Sequence, residues 1–181
     1  MAVTLAWFCL QGDVRRVALG DFLSASVLRS FEPLVGQHAS HVLAALAVSG
    51  DAGLTMQAVA HATGLPLIDI RALLTRLAAG GVIMETSGQR LTVRPPALRH
   101  ALIRDVFFRG ALSLPIEPVL AQTTNVVETA LALIGAQGRG AIISPALLKP
   151  LIEQADSQEV WQDYFDNVRL DRCSVFTPNR I

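Results

Sequence analysis

Between Leu54 and Arg94 the chain reads LTMQAVAHATGLPLIDIRALLTRLAAGGVIMETSGQRLTVR, and this run restricts the available folds more than any other. Thr55 stands just before an apolar-periodic segment, where its hydroxyl can accept from the orphan amides of a first helical turn. Val59, Ala60, Ala62 and Thr63 complete a short helix. Gly64 ends it, because a residue without Cβ takes the left-handed conformation that a tight exit needs. Pro66 cannot extend that helix but suits the start of the next. From Leu67 to Ala79 the apolar residues Ile70, Leu73, Leu74 and Leu77 recur at i, i+3, i+4 and i+7, one face of a helix that Gly80-Gly81 stops. Val82–Met84 and Leu91–Val93 are short strand-like runs. The polar, glycine-containing stretch Glu85–Arg90 between them predicts a β-hairpin.

Helix, tight glycine turn, second helix and hairpin, in that order, resemble the winged helix-turn-helix superfamily. An ordinary helical hairpin beside a surface strand pair has the same elements. His38–Ser49, with Val42, Leu43, Leu46 and Ala47 inward, supplies the first helix of such a domain. The fold class expected is mainly α: a winged helix-turn-helix with a small β-hairpin, followed by a helical bundle or repeat-like tail. Three regions follow: an N-terminal helical segment at 1–37, the winged-helix domain at 38–110 and a C-terminal helical region at 111–181.

The flanks are read from the same signals. Ala2–Leu10 is a short apolar segment, and Asp13 can cap a helix whose face carries Val14, Val17, Phe22, Val27 and Phe31. After the hairpin, Pro95-Pro96 leads a helix with Leu98, Leu102, Ile103 and Val106 in one stripe; Arg99, Arg104 and Arg109 lie largely off it, with His100 on the solvent face. Pro115–Ala136 is expected as one helix with Val119, Leu120, Val126, Val127, Ala130, Leu133 and Ile134 inward. Ser144-Pro145 opens another through Leu147, Leu148, Leu151 and Ile152. Asp156-Ser-Gln-Glu159 fits a capping box for a last helix through Trp161, Phe165 and Val168. No internal period marks a solenoid.

Composition removes whole classes of function. The 51% apolar fraction in 181 residues allows a sizeable core and leaves apolar surface in need of a partner. A formal net charge of zero gives no global field toward nucleic acid or anionic membrane. Fourteen arginines against the single Lys149 point to genome composition rather than to chemistry. Cys9 and Cys173 lie at opposite ends without metal-type spacing, which fits free thiols in a reducing compartment. No apolar run approaches the roughly 18 residues of a membrane span, and Met1–Leu10 lacks the flanks of a signal peptide. A cytoplasmic protein with no membrane partner is the expectation.

The second helix of a DNA-reading motif should offer polar and basic side chains outward. Here its outward start is Leu67, Ile68 and Asp69: two large apolar residues and an acid that phosphates would repel. Arg71, Thr75 and Arg76 follow, and Gln89 and Arg90 sit on the hairpin. Residues 55–110 carry seven arginines and three acids, net +4, whereas 111–181 carry five bases and eight acids, net −3. Much of the basic surplus is Arg94, Arg99, Arg104 and Arg109, beyond the helix that should read bases, free to touch phosphate or to pair with acids of the tail. A protein-contact face of Leu67, Ile68, Arg71 and Arg76 is the leading expectation. The alternative is a transcriptional regulator that contacts double-stranded DNA through Arg71, Thr75, Arg76, Gln89 and Arg90.

The run GLPLIDIRALLTRLAAGGVIMETSGQRLTVRPPALRHALIRDVFF, within residues 38–108, resembles the winged-helix region that follows the ATPase core in bacterial STAND-type regulatory ATPases. The match rests on helix, glycine turn, a helix ending LAAGGVI, hairpin and a proline-led ALRHAL helix. It implies an arm that holds an ATPase inactive or passes on a signal, with a helical sensor behind it. The ATPase core itself is not in this sequence, because its only lysine follows Leu148 and no Gly-x-x-x-x-Gly-Lys loop can exist. The resemblance therefore implies a fragment or a stand-alone adaptor.

No constellation for catalysis is present. His38 and His41 share a helix face at i, i+3 but lack further ligands, so two partly exposed histidines are expected rather than a metal site. His61 and His100 stand alone. Asp163 and Asp166 sit among polar neighbours as a solvated face, and Gly135–Gly140 lacks the phosphate-cradling spacing. No serine stands in a nucleophile elbow. Trp161, Tyr164 and Phe165 are expected in the core, or as an interface cluster if exposed. The expectation is a non-enzymatic regulatory module without metal or cofactor, binding a protein partner or adjacent domain, with a homo-oligomer left open.

Overall fold

A computed structural model describes residues 38–156, except positions 95 and 112. The apolar segment at 2–10, the helix begun at Asp13, the capping box at Asp156, the Trp161 cluster, Asp163, Asp166 and both cysteines therefore lie outside the described side chains. The described part is mainly helical, with one small antiparallel sheet. In chain order it holds α1 (Ala39–Val48), β1 (Leu54–Thr55), α2 (Met56–Thr63), α3 (Leu67–Ala79), β2 (Ile83–Thr86), β3 (Arg90–Val93), α4 (Pro96–Phe107), α5 (Glu117–Leu120), α6 (Val126–Gln137) and α7 (Pro145–Asp156).

Local chemistry sets most of these boundaries. Thr55 caps α2 by accepting from the Ala58 amide at 3.2 Å, and Gly64 leaves the helix at φ +69°. Ile70, Leu73, Leu74 and Leu77 are the buried face of α3, and Gly81 turns the chain at φ +68° into the hairpin. The register of β2 on β3 runs from Ile83 opposite Val93 to Thr86 opposite Arg90. The three residues between the strands include Gly88 and Gln89, both left-handed, at φ +72° and +58°. A third strand joins the hairpin: β1 pairs with β3, Leu54 opposite Leu91, giving the order β1-β3-β2.

The core is centred on α1. Val42 to Val48 are buried without interruption, because α4, α2, β3 and α6 surround the helix; the inward set is wider than the four residues expected. α4 packs against α1 on one side and α6 on the other, and α7 packs on α6. One apolar cluster runs from Ala39 and Leu43 through Leu77, Leu102 and Ile103 to Leu133, Ala136 and Ile143. It crosses residue 110 without a break.

Three expectations are corrected. Pro115–Ala136 is not one helix: α5 and α6 are separated, and Asn125 caps α6 by accepting from the Glu128 amide at 3.0 Å. An asparagine side chain satisfies a helix's orphan amides better than it continues a helix. Ile134 then faces outward, 40% exposed. Arg99 and Arg104 are buried rather than displayed, because α4 is covered on two sides and both guanidiniums find acceptors inside. His100 is half-buried against α6, where the missing side chain of Gly135 makes room for its ring.

Candidate functional site

The outer face of α3 gathers most of the residues singled out from the sequence. Pro66 opens the helix, its carbonyl accepting from Asp69 and Ile70 at 3.0 and 3.1 Å. With Ile70 buried, the residues before it swing outward: Leu67 is 45% and Ile68 71% exposed. Asp69 in the first turn has a structural role there, since a carboxylate complements the positive end of a helix. Arg71, Thr75 and Arg76 are exposed farther along, and the Thr75 hydroxyl donates back to the Arg71 carbonyl at 2.9 Å. Leu67 and Arg71, like Arg71 and Thr75, are one turn apart and stack along the helix.

The hairpin divides its two candidates. Gln89 is exposed at the tip. Arg90 is turned inward: its Nη1 donates to the Gly53 carbonyl at 3.3 Å and to Thr124 Oγ1 at 2.9 Å, so it braces the β1 loop against the chain before α6. The structure thus brings Leu67, Ile68, Arg71, Thr75 and Arg76 onto one helix and leaves Arg90 out.

The remaining arginines of the basic region are largely committed. Arg94 Nε lies 2.9 Å from Met84 Sδ. Arg99 donates from Nε to the Val93 carbonyl at 3.0 Å and from Nη2 to Asp51 Oδ1 at 2.6 Å. That hydrogen bond, with the nearby charge, holds the Asp51 carboxyl below its usual range against the opposing effect of burial. The loop around Asp51 is fastened from three more sides. The Asp51 amide donates to Glu128 Oε2 at 2.9 Å, Thr92 Oγ1 donates to the Gly50 carbonyl at 2.7 Å, and Ser49 Oγ donates to the Leu46 carbonyl at 2.8 Å.

The histidine pair does not form the face expected of it. His38 is exposed at the left-handed N-cap of α1, φ +74°, outside the helix. His41 is half-buried with its ring edge-on to Phe107, centroids 6.2 Å apart, and its Nε2 has no hydrogen-bond partner among the described residues. Burial first, and the charge of His38 second, push its pKa down. Among the described residues no three of histidine, cysteine, aspartate and glutamate converge on one point, and no helix is long and apolar enough to cross a membrane.

One feature was not foreseen from the sequence. An open cleft of about 600 Å³ lies between the end of α4 and the loop after α6, lined by Arg104, Phe108, Arg109, Gly110, Arg139, Gly140 and Ile142. The arginines at 104 and 109 were visible as charge, but nothing local in the sequence brings Arg139 and Ile142 to them; the packing of α4 on α6 does. The chain matches no family model, no curated protein and no solved structure.

Proposed function

We propose that residues 38–110 are a winged helix-turn-helix serving as a non-enzymatic regulatory module, which binds a protein partner or an adjacent domain through the start of α3. Three helices, a three-stranded sheet of order β1-β3-β2 and a hairpin following the second helix of the motif support that reading of the fold. It agrees with the resemblance to the arm that follows the core of STAND-type ATPases.

The observation that carries the function is the exposure of Leu67 and Ile68, at 45% and 71%, where a groove-reading helix needs polar side chains. Full burial of such a side chain stabilises by about 1.5–3 kcal/mol, so covering what these two expose contributes roughly 3 kcal/mol, about a hundredfold in affinity. Arg71 and Arg76 would form the polar rim of that contact. The DNA alternative draws on Arg71, Thr75, Arg76, Gln89 and Arg90. Engagement of Arg90 with Gly53 and Thr124 removes one of its five side chains from phosphate reach and supports the protein contact instead.

The test combines two measurements on the full chain. A photocrosslinker in place of Ile68 should give one discrete adduct, with a second copy or with another protein, that the same group in place of exposed Gln57 does not give. Fluorescence anisotropy with mixed duplex DNA should show no binding at low salt. Salt-sensitive DNA binding that disappears in Arg71→Ala/Arg76→Ala, with no adduct from position 68, would overturn the protein-contact reading in favour of a DNA-binding regulator.

A further inference from the structure

The small sheet ends at β2, which has a neighbouring strand on one side only. The register fixes where its main-chain groups point. The Arg94 amide donates to the Val82 carbonyl at 2.7 Å, so Val82 and Arg94 are a hydrogen-bonded pair. Such pairs alternate along an antiparallel ladder. Met84 with Thr92 and Thr86 with Arg90 are therefore the next two, and the amides and carbonyls of Ile83 and Glu85 turn away from β3. Among the described residues no hydrogen bond reaches these four groups. The elements that pack on β2 are β3 and the preceding α3. β1, at the opposite edge, is two residues long, and one of them caps α2.

An edge with unmatched groups is a template for a further strand, and β2 is self-complementary in one register. A twofold axis through Met84 sets Ile83 of one copy opposite the partner's Glu85, and the two exchange both N–H···O bonds. The same exchange on the other side of the axis matches all eight outward groups. Moving the axis to Glu85 would set two carboxylates directly opposite each other. Moving it to Ile83 would set Glu85 opposite the partner's Gly81, which has left the strand direction at φ +68°. With the axis at Met84, that side chain, 41% exposed, lies against its own counterpart, while Ile83 stays in the core at 4% exposure.

We propose that β2 pairs antiparallel with β2 of a second copy about a twofold axis at Met84, joining two three-stranded sheets into one of six strands. Two four-residue strands cover less than the roughly 1,200 Å² of a standard interface. The two Glu85 carboxylates, exposed and diagonal across the axis, repel each other. The dimer is therefore weak, with a dissociation constant on the order of 100 µM. It uses none of the α3 residues assigned to partner binding above.

Sedimentation equilibrium of the full chain from about 10 µM to 1 mM tests the pairing. Wild type should self-associate across this range. Glu85→Pro removes an outward amide and leaves the ladder to β3 intact, so it should weaken association at least tenfold with unchanged circular dichroism. Glu85→Gln should strengthen it about twofold. Leu67→Asp/Ile68→Ser on α3 should leave it unaltered. In a Cys9→Ser/Cys173→Ser background, Met84→Cys should form a disulfide dimer in air, since opposed residues of a non-hydrogen-bonded pair lie about 4.5 Å apart at Cα. Gln89→Cys, at the exposed hairpin tip, should not. A chain that stays monomeric, association that survives Glu85→Pro, or equal crosslinking at positions 84 and 89 would overturn the proposal. Association lost in Leu67→Asp/Ile68→Ser but kept in Glu85→Pro would overturn it too, by moving the second copy to α3. If Glu85→Pro alters the circular dichroism, the comparison of Met84→Cys with Gln89→Cys decides.

Discussion

Replacing Gly135 by alanine sets two ordinary effects against each other, and the structure decides the sign. Gly135 lies in the helical part of α6, where glycine normally costs a helix about 0.5–1 kcal/mol relative to alanine. A Cβ there would fall within 2.6 Å of both Cδ2 and Cε1 of His100, closer than any real carbon contact. The ring is half-buried between α4 and α6, so yielding means an off-rotamer side chain or a shift of one helix on the other, and overpacking of this kind costs about 1–3 kcal/mol. Gly135→Ala should therefore destabilise by roughly 1 kcal/mol. Removing the ring reverses the sign: in the background of His100→Ala, the same change should stabilise by about 0.5–1 kcal/mol. The coupling between the two positions is then about 2 kcal/mol, well above the roughly 0.5 kcal/mol scatter of independent sites. Urea unfolding of the four proteins, followed by circular dichroism at pH 8 to keep His100 neutral, measures it. An equal gain from Gly135→Ala in both backgrounds would refute the contact as the reason for glycine at this position.

Three further predictions follow from other contacts. His41 and His100 both have pKa values below the ordinary histidine value of about 6.5, so the unfolded chain binds their protons first; stability is full above that value and is lost as pH falls through it toward the depressed folded values, with Asp51 adding a second loss below its own usual range. Thermal unfolding between pH 8 and pH 5 checks this: the melting temperature should fall with pH, and less so in His41→Leu, whereas a flat profile contradicts the burial of both rings. Gly53→Ala should cost about 1–3 kcal/mol, because φ is +67° and its Cβ would come within 2.8 Å of the Leu91 carbonyl oxygen; Gly88→Ala, at φ +72° over open space, should cost only the strain of that conformation, about 1 kcal/mol, and chemical denaturation compares the two. Asn125→Ala should cost about 1 kcal/mol by removing the cap of α6, and a loss no larger than that of an exposed surface alanine would speak against the cap.

The parts of the fold that were legible from the sequence are those governed by neighbours along the chain. Thr55, Gly64, Gly81 and the four inward residues of α3 each act within one helical turn, and each stands where local chemistry placed it. β1 was not legible, because two residues carry no alternation and their pairing with β3 is decided 37 positions away, Leu54 against Leu91. The break between α5 and α6 did carry a local signal, Asn125 followed three residues later by Glu128, but the apolar spacing from Val119 to Leu133 ran through it in helical phase. Burial of Arg99 and Arg104 lay beyond periodicity altogether, which treats arginine as a surface residue; a helix packed on two sides takes its long stems inward and gives their tips carbonyls and carboxylates. On α3 the exposure of Leu67 and Ile68 was readable, whereas the inward turn of Arg90 needed Thr124, a residue from another part of the chain.

The position of α4 between α1 and α6 also has a consequence for how the protein is made. During synthesis α1 to α4 are complete when Phe107 emerges, but the surface that closes over α4's other side ends at Gln137, 30 residues later. At ribosomal speeds of about 5–20 residues per second the interval is roughly 1.5–6 seconds. Throughout it the nascent chain presents the uncovered side of α4 before Leu133 and Ala136 arrive, and the buried arginine tip at position 104 still lacks the Arg139 carbonyl. Until α6 arrives, that side of α4 has nothing among the described elements to cover it.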